Sequence, residues 1–533
     1  MAETKADALR LLALDGNDTV GGTKYLLQFD DRRVLLDFGT NYAKHSRYYE
    51  EFLVPRTTGG IFDLITMGIL PDARGLYRDD VQLPDLDLRG PEVGTIDAVL
   101  VTHAHLDHAG AVGLLRPEVP LATSALSAAT LKAMQDCGKS TLGSETIYWN
   151  PRAPEERRGT SILATERGSD KMGRDLIVTE GAWGPDFEDF WDRLPEKESK
   201  TPGVPRKRKE LQAGAFRRDL GDLGCRALPI DHSVKGAIGF VLETSRGPCV
   251  YPGDVRLHGV EGRKTEEFIQ KARSPRPFAL FMEGTNIAEG AEEVTREEDV
   301  ARNVRTILSG ISGEFAIADF GPWNIERLEI FLKAAREHDR RLVITPKDAY
   351  LMRAMHTVDA AVPLPGDDIV VFDSPKASDS AAEDEVFAEF ARSVVKAMAI
   401  KQSPGDYLVA FSFLDIKHLV DIHPDGGHYI YSSSEAFTEE QEIDFRRLKA
   451  WLDKFGLKSH GFWFETDQLK FSKGKEGLHA SGHAPAADLE RIVRTLNPEI
   501  IVPLHTEHPA LFVERFGGDH RVVQPPLLEW TNL

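Results

Sequence analysis

Apolar residues come along this chain in short, dense runs separated by polar turns. "TKYLLQF" and "RVLLDFG", on either side of "DDRR", have almost no polar break, a pattern that suits strands covered on both faces. "AVLVTHAH" is a third run of this kind, and the small residues of "AGAVGLL" behind it predict a helix start lying close against a sheet. Between about 140 and 222 the regularity fades into a charged stretch punctuated by Pro and Gly, including "TPGVPRKRKE". It reads as an insertion of loops and short helices. Strand patterning resumes in "CRALPIDHS", "GAIGFVLET" and "PCVYPGD".

A different grammar starts near 287. The helical segments "REEDVARNVRTILSG" and "NIERLEIFLKAAREHD", the latter with apolar residues three to four apart, alternate with the strand-like "EFAIADF" and "RLVITP". "DYLVAFSF" and "HYIYSSS" add two further strands. This alternation predicts a parallel α/β layer with its own core, within which "FDSPKASDSAAEDE" (372–385) reads as a polar connector. The end of the chain returns to the first style. In "LHASGHAPAADLERIVRTLNPEIIVPLHTEH" a turn leads into an amphipathic helix and then a buried strand ending at His505. The expected organisation is an α/β protein in which a second domain, 287–470, interrupts a first made of 1–286 and 471–533. A length of 533 residues exceeds one ordinary core, in keeping with that division.

Composition changes the picture in three respects. Three cysteines, Cys137, Cys225 and Cys249, are odd in number and far apart, which fits reduced thiols in the cytoplasm better than a disulfide framework. The charged N-terminus does not read as a signal peptide, and no run of about 18 apolar residues predicts a membrane span. A net charge of -20 speaks against a nucleic-acid partner, since phosphate binding draws on Lys and Arg. Divalent metals at a site would reverse the local field without entering that sum.

Such a site is written into "VTHAHLDHAG". His103, His105, Asp107 and His108 follow a strand directly, so a tight loop can aim the first two at one metal and the last two at a second. Imidazole suits zinc and other first-row metals, and a mixed His/Asp set leaves a position for water. Four ligand-type residues at this spacing outweigh a loop of solvated histidines. His232 in "LPIDHS", Asp254 in "VYPGD" and His505 in "IVPLH" each end another hydrophobic run, and a central sheet would deliver them to the same edge.

Taken in order, "HAHLDH", His232, the "GD" of 253–254 and the "PLH" of 503–505 resemble the H-x-H-x-D-H signature and later ligands of the metallo-β-lactamase fold. "GGTKYLL…VLLDFG" resembles its first strands. The resemblance implies an αββα sandwich and two Zn2+, with Mn2+ or Mg2+ as alternatives. One ion would take His103, His105 and His232 and the other Asp107, His108 and His505, with Asp254 bridging and Asp37 orienting a ligand histidine. "ALFMEGTN" (279–286) and "LHASGHA" (478–484) resemble motifs of the β-CASP nucleases, and "HxSGHA" followed by a helix and "PLH" resembles ribonuclease J in particular. The inserted α/β layer is then the β-CASP domain. By the same resemblance Glu283 and His483 form an acid pair beside the metals, Asp107 joins them in catalysis, and His479 and Ser481 contact substrate phosphate.

The activity implied is a cytoplasmic, zinc-dependent ribonuclease that hydrolyses phosphodiester bonds of single-stranded RNA, 5'-to-3' as an exonuclease, with endonuclease action beside it. No membrane is involved, and a homodimer is allowed. The alternatives are a β-CASP nuclease acting on DNA and a metallohydrolase of a small ester or thioester, for which the trio His479, Ser481 and His483 has no evident use. A non-catalytic subunit ranks below these, because every ligand type is present.

Several features depart from ribonuclease J or stand outside its motifs. His108 and His232 stand 124 positions apart, longer than expected, and "FGPWNIER" (320–327) lacks the expected serine. The end at "VVQPPLLEW" leaves no room for an extra C-terminal domain. "RKRKE" and "FRRD" (206–219) read as a solvated face sooner than an RNA track, and Trp323 as a core or interface residue as readily as a base-stacking one. His423, His428 and His508 read as surface residues near turns.

Overall fold

Along the strand Ile500–Leu504, Ile500, Val502 and Leu504 enter one apolar core and Ile501 another. Leu27, Val34 and Leu36 share the first of these cores, while Leu26 and Leu35 enter a third. Side chains alternate between the faces of a strand, so a strand covered on both sides is apolar throughout. The unbroken runs of the sequence follow from that burial. This computed structural model describes residues 9–50, 52–139, 141–166, 168–196, 210–217, 220, 223–288, 294–321, 323–433 and 439–533.

An eight-stranded sheet is ordered in space Phe216–Arg217, Leu176–Glu180, Leu121–Ser124, Ala98–Leu100, Arg32–Leu36, Lys24–Phe29, Arg10–Asp15, Trp530–Asn532. Its partner has six strands, Cys225–Pro229, Ile238–Leu242, Cys249–Tyr251, Ala279–Glu283, Ile500–Leu504 and Arg521–Val522. The core shared by the two includes Leu27, Leu100, Phe240, Phe281 and Val502. Helices Gly262–Ala272, Ala486–Leu496 and Pro509–Phe516 cover the outer face of the six-stranded sheet, and Ala125–Cys137 lies on that of the other. These are the four layers of the expected αββα arrangement. The final strand pairs antiparallel with Arg10–Asp15, so the last residues of the chain complete the sheet that the first ones begin.

A separate seven-stranded sheet draws all its strands from 316–460, in the order Val394–Lys396, Ile369–Asp373, Arg341–Ile344, Tyr407–Ala410, Ala316–Asp319, Gly427–Tyr431, Leu457–His460. Every neighbouring pair is parallel. Helices cover both faces, as parallel strands require. Helix Pro346–His356 packs on Ala125–Cys137 of the sandwich, where Tyr350 Oη donates to Asp136 at 2.9 Å and the buried Lys132 pairs with the same carboxylate at 2.7 Å.

Three sequence expectations need correction. The regular elements described within the 140–222 stretch are mainly strands rather than helices: Arg152–Arg157 and Thr160–Thr165 form an antiparallel hairpin, and Leu176–Glu180 joins the large sheet parallel to Leu121–Ser124. Pro185–Asp192 is its α-helix among the described residues. Strands of two to six residues are too short to register as periodicity, and an exposed hairpin has no buried face to alternate with. The connector 372–385 holds the start of helix Ala381–Glu389, fixed by a reciprocal cap between Ser380 and Glu383. "AGAVGLL" begins no long helix: a short one, Leu106–Ala109, precedes it and a 3-10 turn, Val112–Leu114, lies inside it.

His428 also departs from its surface reading. It is buried in the strand Gly427–Tyr431, with Nδ1 2.9 Å from His460 Nε2 and Nε2 3.1 Å from Glu314 Oε2. His423 and His508 are exposed, and Trp323 is partly buried against the core. The basic run 206–209 and Arg218–Asp219 lie outside the described residues. Among those described, no helix is long and apolar enough to cross a membrane.

Candidate metal centre

Four of the seven candidate ligands stand just past the carboxyl end of a strand: His103 after Ala98–Leu100, His232 after Cys225–Pro229, Asp254 after Cys249–Tyr251 and His505 after Ile500–Leu504. His105 sits at the N-cap of helix Leu106–Ala109, whose single turn swings Asp107 and His108 back over the sheet. The "DFG" segment is the wall behind them. Phe38 N donates to His108 O at 2.8 Å, and Gly22 N to Asp107 O at 3.0 Å. Gly39 passes so close that a Cβ there would lie 1.6 Å from the Asp107 carbonyl oxygen. Asp37 and His505 both hold positive φ, 52° and 50°, a conformation that non-glycine residues keep only where surroundings enforce it.

The imidazoles converge. His105 Nδ1 is 3.1 Å from both His103 Nε2 and His232 Nε2, and His505 Nε2 is 3.3 Å from Asp107 Oδ2. Asp254 Oδ2 lies between the two groups: 3.0 Å from His108 Nε2, 3.7 Å from His103 Nε2 and His505 Nε2, and 3.9 Å from His232 Nε2. Outer partners fix which nitrogen faces inward. His108 Nδ1 donates to Asp37 at 2.7 Å and His232 Nδ1 to the Gly482 carbonyl at 2.7 Å, leaving each Nε2 for the centre. Asp37 is held in turn by Thr102 N at 2.8 Å and by the Tyr251 hydroxyl.

The charges at the centre call for a cation. Burial, then neighbouring imidazoles, hold His103 and His232 well below the usual histidine range, and burial brings His105 down to about 4. Neutral imidazole is the form that binds metal. Burial opposes charge on His108 as well, yet Asp254, Asp107 and Asp37 outweigh it and push it well above its ordinary value. Asp254 Oδ1 and His108 Nε2 are buried with no hydrogen-bond partner. Orphaned buried groups of this kind need a partner. With five imidazoles and two carboxylates aimed inward, the donor set fits zinc better than magnesium, which prefers oxygen.

Beside this cluster lies a second tier. Glu283, the last residue of its strand, is fully buried; its carboxylate oxygens are each 3.3 Å from His483 Nδ1 and accept from Thr285 N at 3.1 Å. Burial lowers His483, but Glu283, Asp254 and Asp107 together raise it to about 9. Ser481 Oγ accepts from His483 N at 3.1 Å. His479 is brought down to about 3 by burial and then by Arg327, and its Nδ1 is buried without a partner. Its imidazole is therefore neutral.

Sequence reading passed over Asp231, Arg256 and His258. His258 Nε2 donates to the Ser481 carbonyl at 3.0 Å, while Asp231 and Arg256 pair at 3.1 Å. The available signal was adjacency, since "IDHS" and "GDVRLH" put them within four residues of His232 or Asp254.

Residues 20–123 match the family model described as the metallo-beta-lactamase superfamily, and 475–517 that of the Zn-dependent metallo-hydrolase RNA specificity domain. The chain is 20% identical over 502 residues to a ribonuclease J of Mycolicibacterium smegmatis, covering 93% of this chain and 68% of that one. A ribonuclease J of Mycoplasma genitalium gives 20% over 512 residues with the same coverage. A stretch of 108 residues is 32% identical to the transcription termination factor FttA of Pyrococcus horikoshii, 20% of this chain and 12% of that one. Among solved structures, a protein of unknown function from Enterococcus faecalis V583 superposes with a TM-score of 0.66 at 20% identity, covering 99% of this chain and all of that one.

Proposed function

Starting from a chain that belongs to the metallo-β-lactamase superfamily and is a metal-dependent hydrolase, we propose a two-zinc ribonuclease that cuts phosphodiester bonds of single-stranded RNA, working 5'-to-3' as an exonuclease with endonuclease action beside it. The observation that carries this reading is the position of Asp254 Oδ2 between two sets of inward-facing donors. One ion would be held by His103, His105 and His232 and the other by Asp107, His108 and His505, with Asp254 available to both. Bound there, zinc would supply Lewis-acid activation of water and charge stabilisation for phosphodiester hydrolysis.

The chain's own groups do the rest. His483, hydrogen-bonded through Nδ1 to Glu283 at 3.3 Å, is the group that would protonate the departing 3' oxygen, through its Nε2. Glu283 fixes that ring orientation as a carboxylate does for other catalytic imidazoles. His479 and Ser481, on the segment that carries His483, are placed to donate to phosphate oxygens. A neutral ester would make no use of them. Three free cysteines, two of them buried, support the cytoplasm as the working compartment.

The test is release of mononucleotides from 5'-monophosphorylated single-stranded RNA, with and without a chelator, beside a deoxyribo-oligomer of the same sequence. Metal-dependent turnover of RNA is expected. Turnover of DNA alone, or of a thioester and neither polymer, overturns the proposal.

A further inference from the structure

Arg256 is buried to the last atom, and three carboxylates close around it. Its Nε donates to Asp231 at 3.1 Å, Nη1 to Glu297 at 3.2 Å and Nη2 to Glu326 at 2.7 Å. These three acids come from different parts of the fold. Asp231 precedes His232; Glu297 opens helix Glu297–Ser309; Glu326 lies in the first turn of Ile325–Glu337. Arg256 itself follows Asp254 by two residues. One guanidinium therefore joins two ligand-bearing loops of the sandwich to the first turns of two helices of the inserted layer.

The joint is reinforced at close range. Arg256 N donates to the Asp231 carbonyl at 3.0 Å, so the two loops are paired through backbone as well as side chain. Gly259 packs over the pair so tightly that a Cβ would lie 2.4 Å from both Arg256 Nε and Asp231 Oδ2. Glu297 is also gripped by Arg327, at 2.9 and 3.1 Å, and Arg327 Nη1 reaches the carbonyls of Ser432 and Leu478. Without Arg256 the buried Asp231 carboxylate would lose its guanidinium partner, whereas Glu297 keeps Arg256 when Arg327 is removed, so the joint between the two loops depends on Arg256 in particular.

We propose that Arg256 is a positioning residue of the metal centre: by locking the His232 and Asp254 loops to the inserted layer, it sets the separation of their donor atoms and makes metal retention depend on that layer. The inference rests on the metal-centre part of the function proposed above and is independent of the substrate being RNA. Arg256 touches no candidate ligand side chain; it acts through the loops that carry them.

The experiment uses the full chain loaded with Co2+, read by its visible absorption spectrum and by chelator competition, well below the unfolding temperature. Arg256→Met is expected to weaken cobalt retention at least tenfold and to alter the spectrum, and Arg256→Lys, which keeps one cation at the joint, to recover part of both. Arg327→Met removes a member of the same network that contacts neither ligand loop, and it should lower the unfolding temperature while leaving the cobalt spectrum unchanged. Should Arg256→Met fail to fold, Asp231→Asn and Gly259→Val are read in its place, with weaker retention expected from each. Cobalt affinity and spectrum unchanged in the folded variants overturn the proposal, as does an equal spectral change in Arg327→Met. Because the readout is metal and not cleavage, a wild-type protein inert towards RNA would sink the ribonuclease reading and leave this one standing.

Discussion

Asp37 and His108, 71 residues apart in sequence, meet at 2.7 Å, and that bond decides which face of the imidazole looks at the metal edge. Because His108 Nδ1 donates to the carboxylate, Nε2 is turned towards Asp254 and left without a hydrogen-bond partner. Partners of this outer kind typically govern about 10–100-fold in metal affinity. Asp37→Ala is therefore expected to weaken zinc binding by roughly that factor, measured by chelator competition. Unchanged affinity would place His108 outside the centre.

Asp254→Ala should abolish hydrolysis while the chain stays folded, since the side chain contributes to the centre and not to an apolar core. Circular dichroism and turnover on the same sample separate the two effects. Full activity in a folded Asp254→Ala protein contradicts the two-metal arrangement.

His483→Ala should lower kcat by about 10²–10⁴-fold, the usual worth of a positioned general acid, with zinc content unchanged. Glu283→Gln removes the nearest charge that holds His483 up. In the metal-free protein the His483 pKa then falls from about 9, seen as its NMR titration midpoint moving to lower pH. A group with a folded pKa above its unfolded value stabilises fully below the unfolded value, near 6.5, and less as pH climbs through about 9. The metal-free wild type should accordingly lose stability across that window, and Glu283→Gln should lose less.

Asp319 supplies a pH test remote from the metals. Burial first, then Asp415, raises its carboxyl to about 7, against the hydrogen bond from Tyr429. An acid raised on folding is best tolerated where it is neutral in both states, so its penalty is absent below about pH 4, grows between 4 and 7, and is constant above. Asp319→Asn should raise the unfolding midpoint at pH 8 and leave it unchanged at pH 4. The opposite ordering, or equal shifts at both, contradicts the assignment.

Gly39→Ala should remove metal binding although no ligand is substituted, because a methyl group would displace the Asp107 backbone. Elemental analysis of the purified variant against wild type gives the answer, and a normal metal content would mean that the wall behind Asp107 yields freely.

Sequence by itself determined the elements whose chemistry is local or periodic. Strands covered on both faces announce themselves as unbroken apolar runs, the amphipathic helix Ala486–Leu496 by its spacing, and "HAHLDH" by four donors packed into six positions. It also marked His232, Asp254 and His505 as strand-end donors. Only the tertiary structure decided what those donors face. Asp254 lies between two histidine groups because strand ends of the eight-stranded sheet, carrying His103 to His108, meet those of the six-stranded sheet, carrying His232, Asp254 and His505, a juxtaposition that no spacing encodes. The strands of 148–180 were illegible because each is too short for a period, and the Arg256 network because its members gain meaning only on burial. Charges in water are unremarkable in a sequence; the same charges, taken out of water together, must find one another.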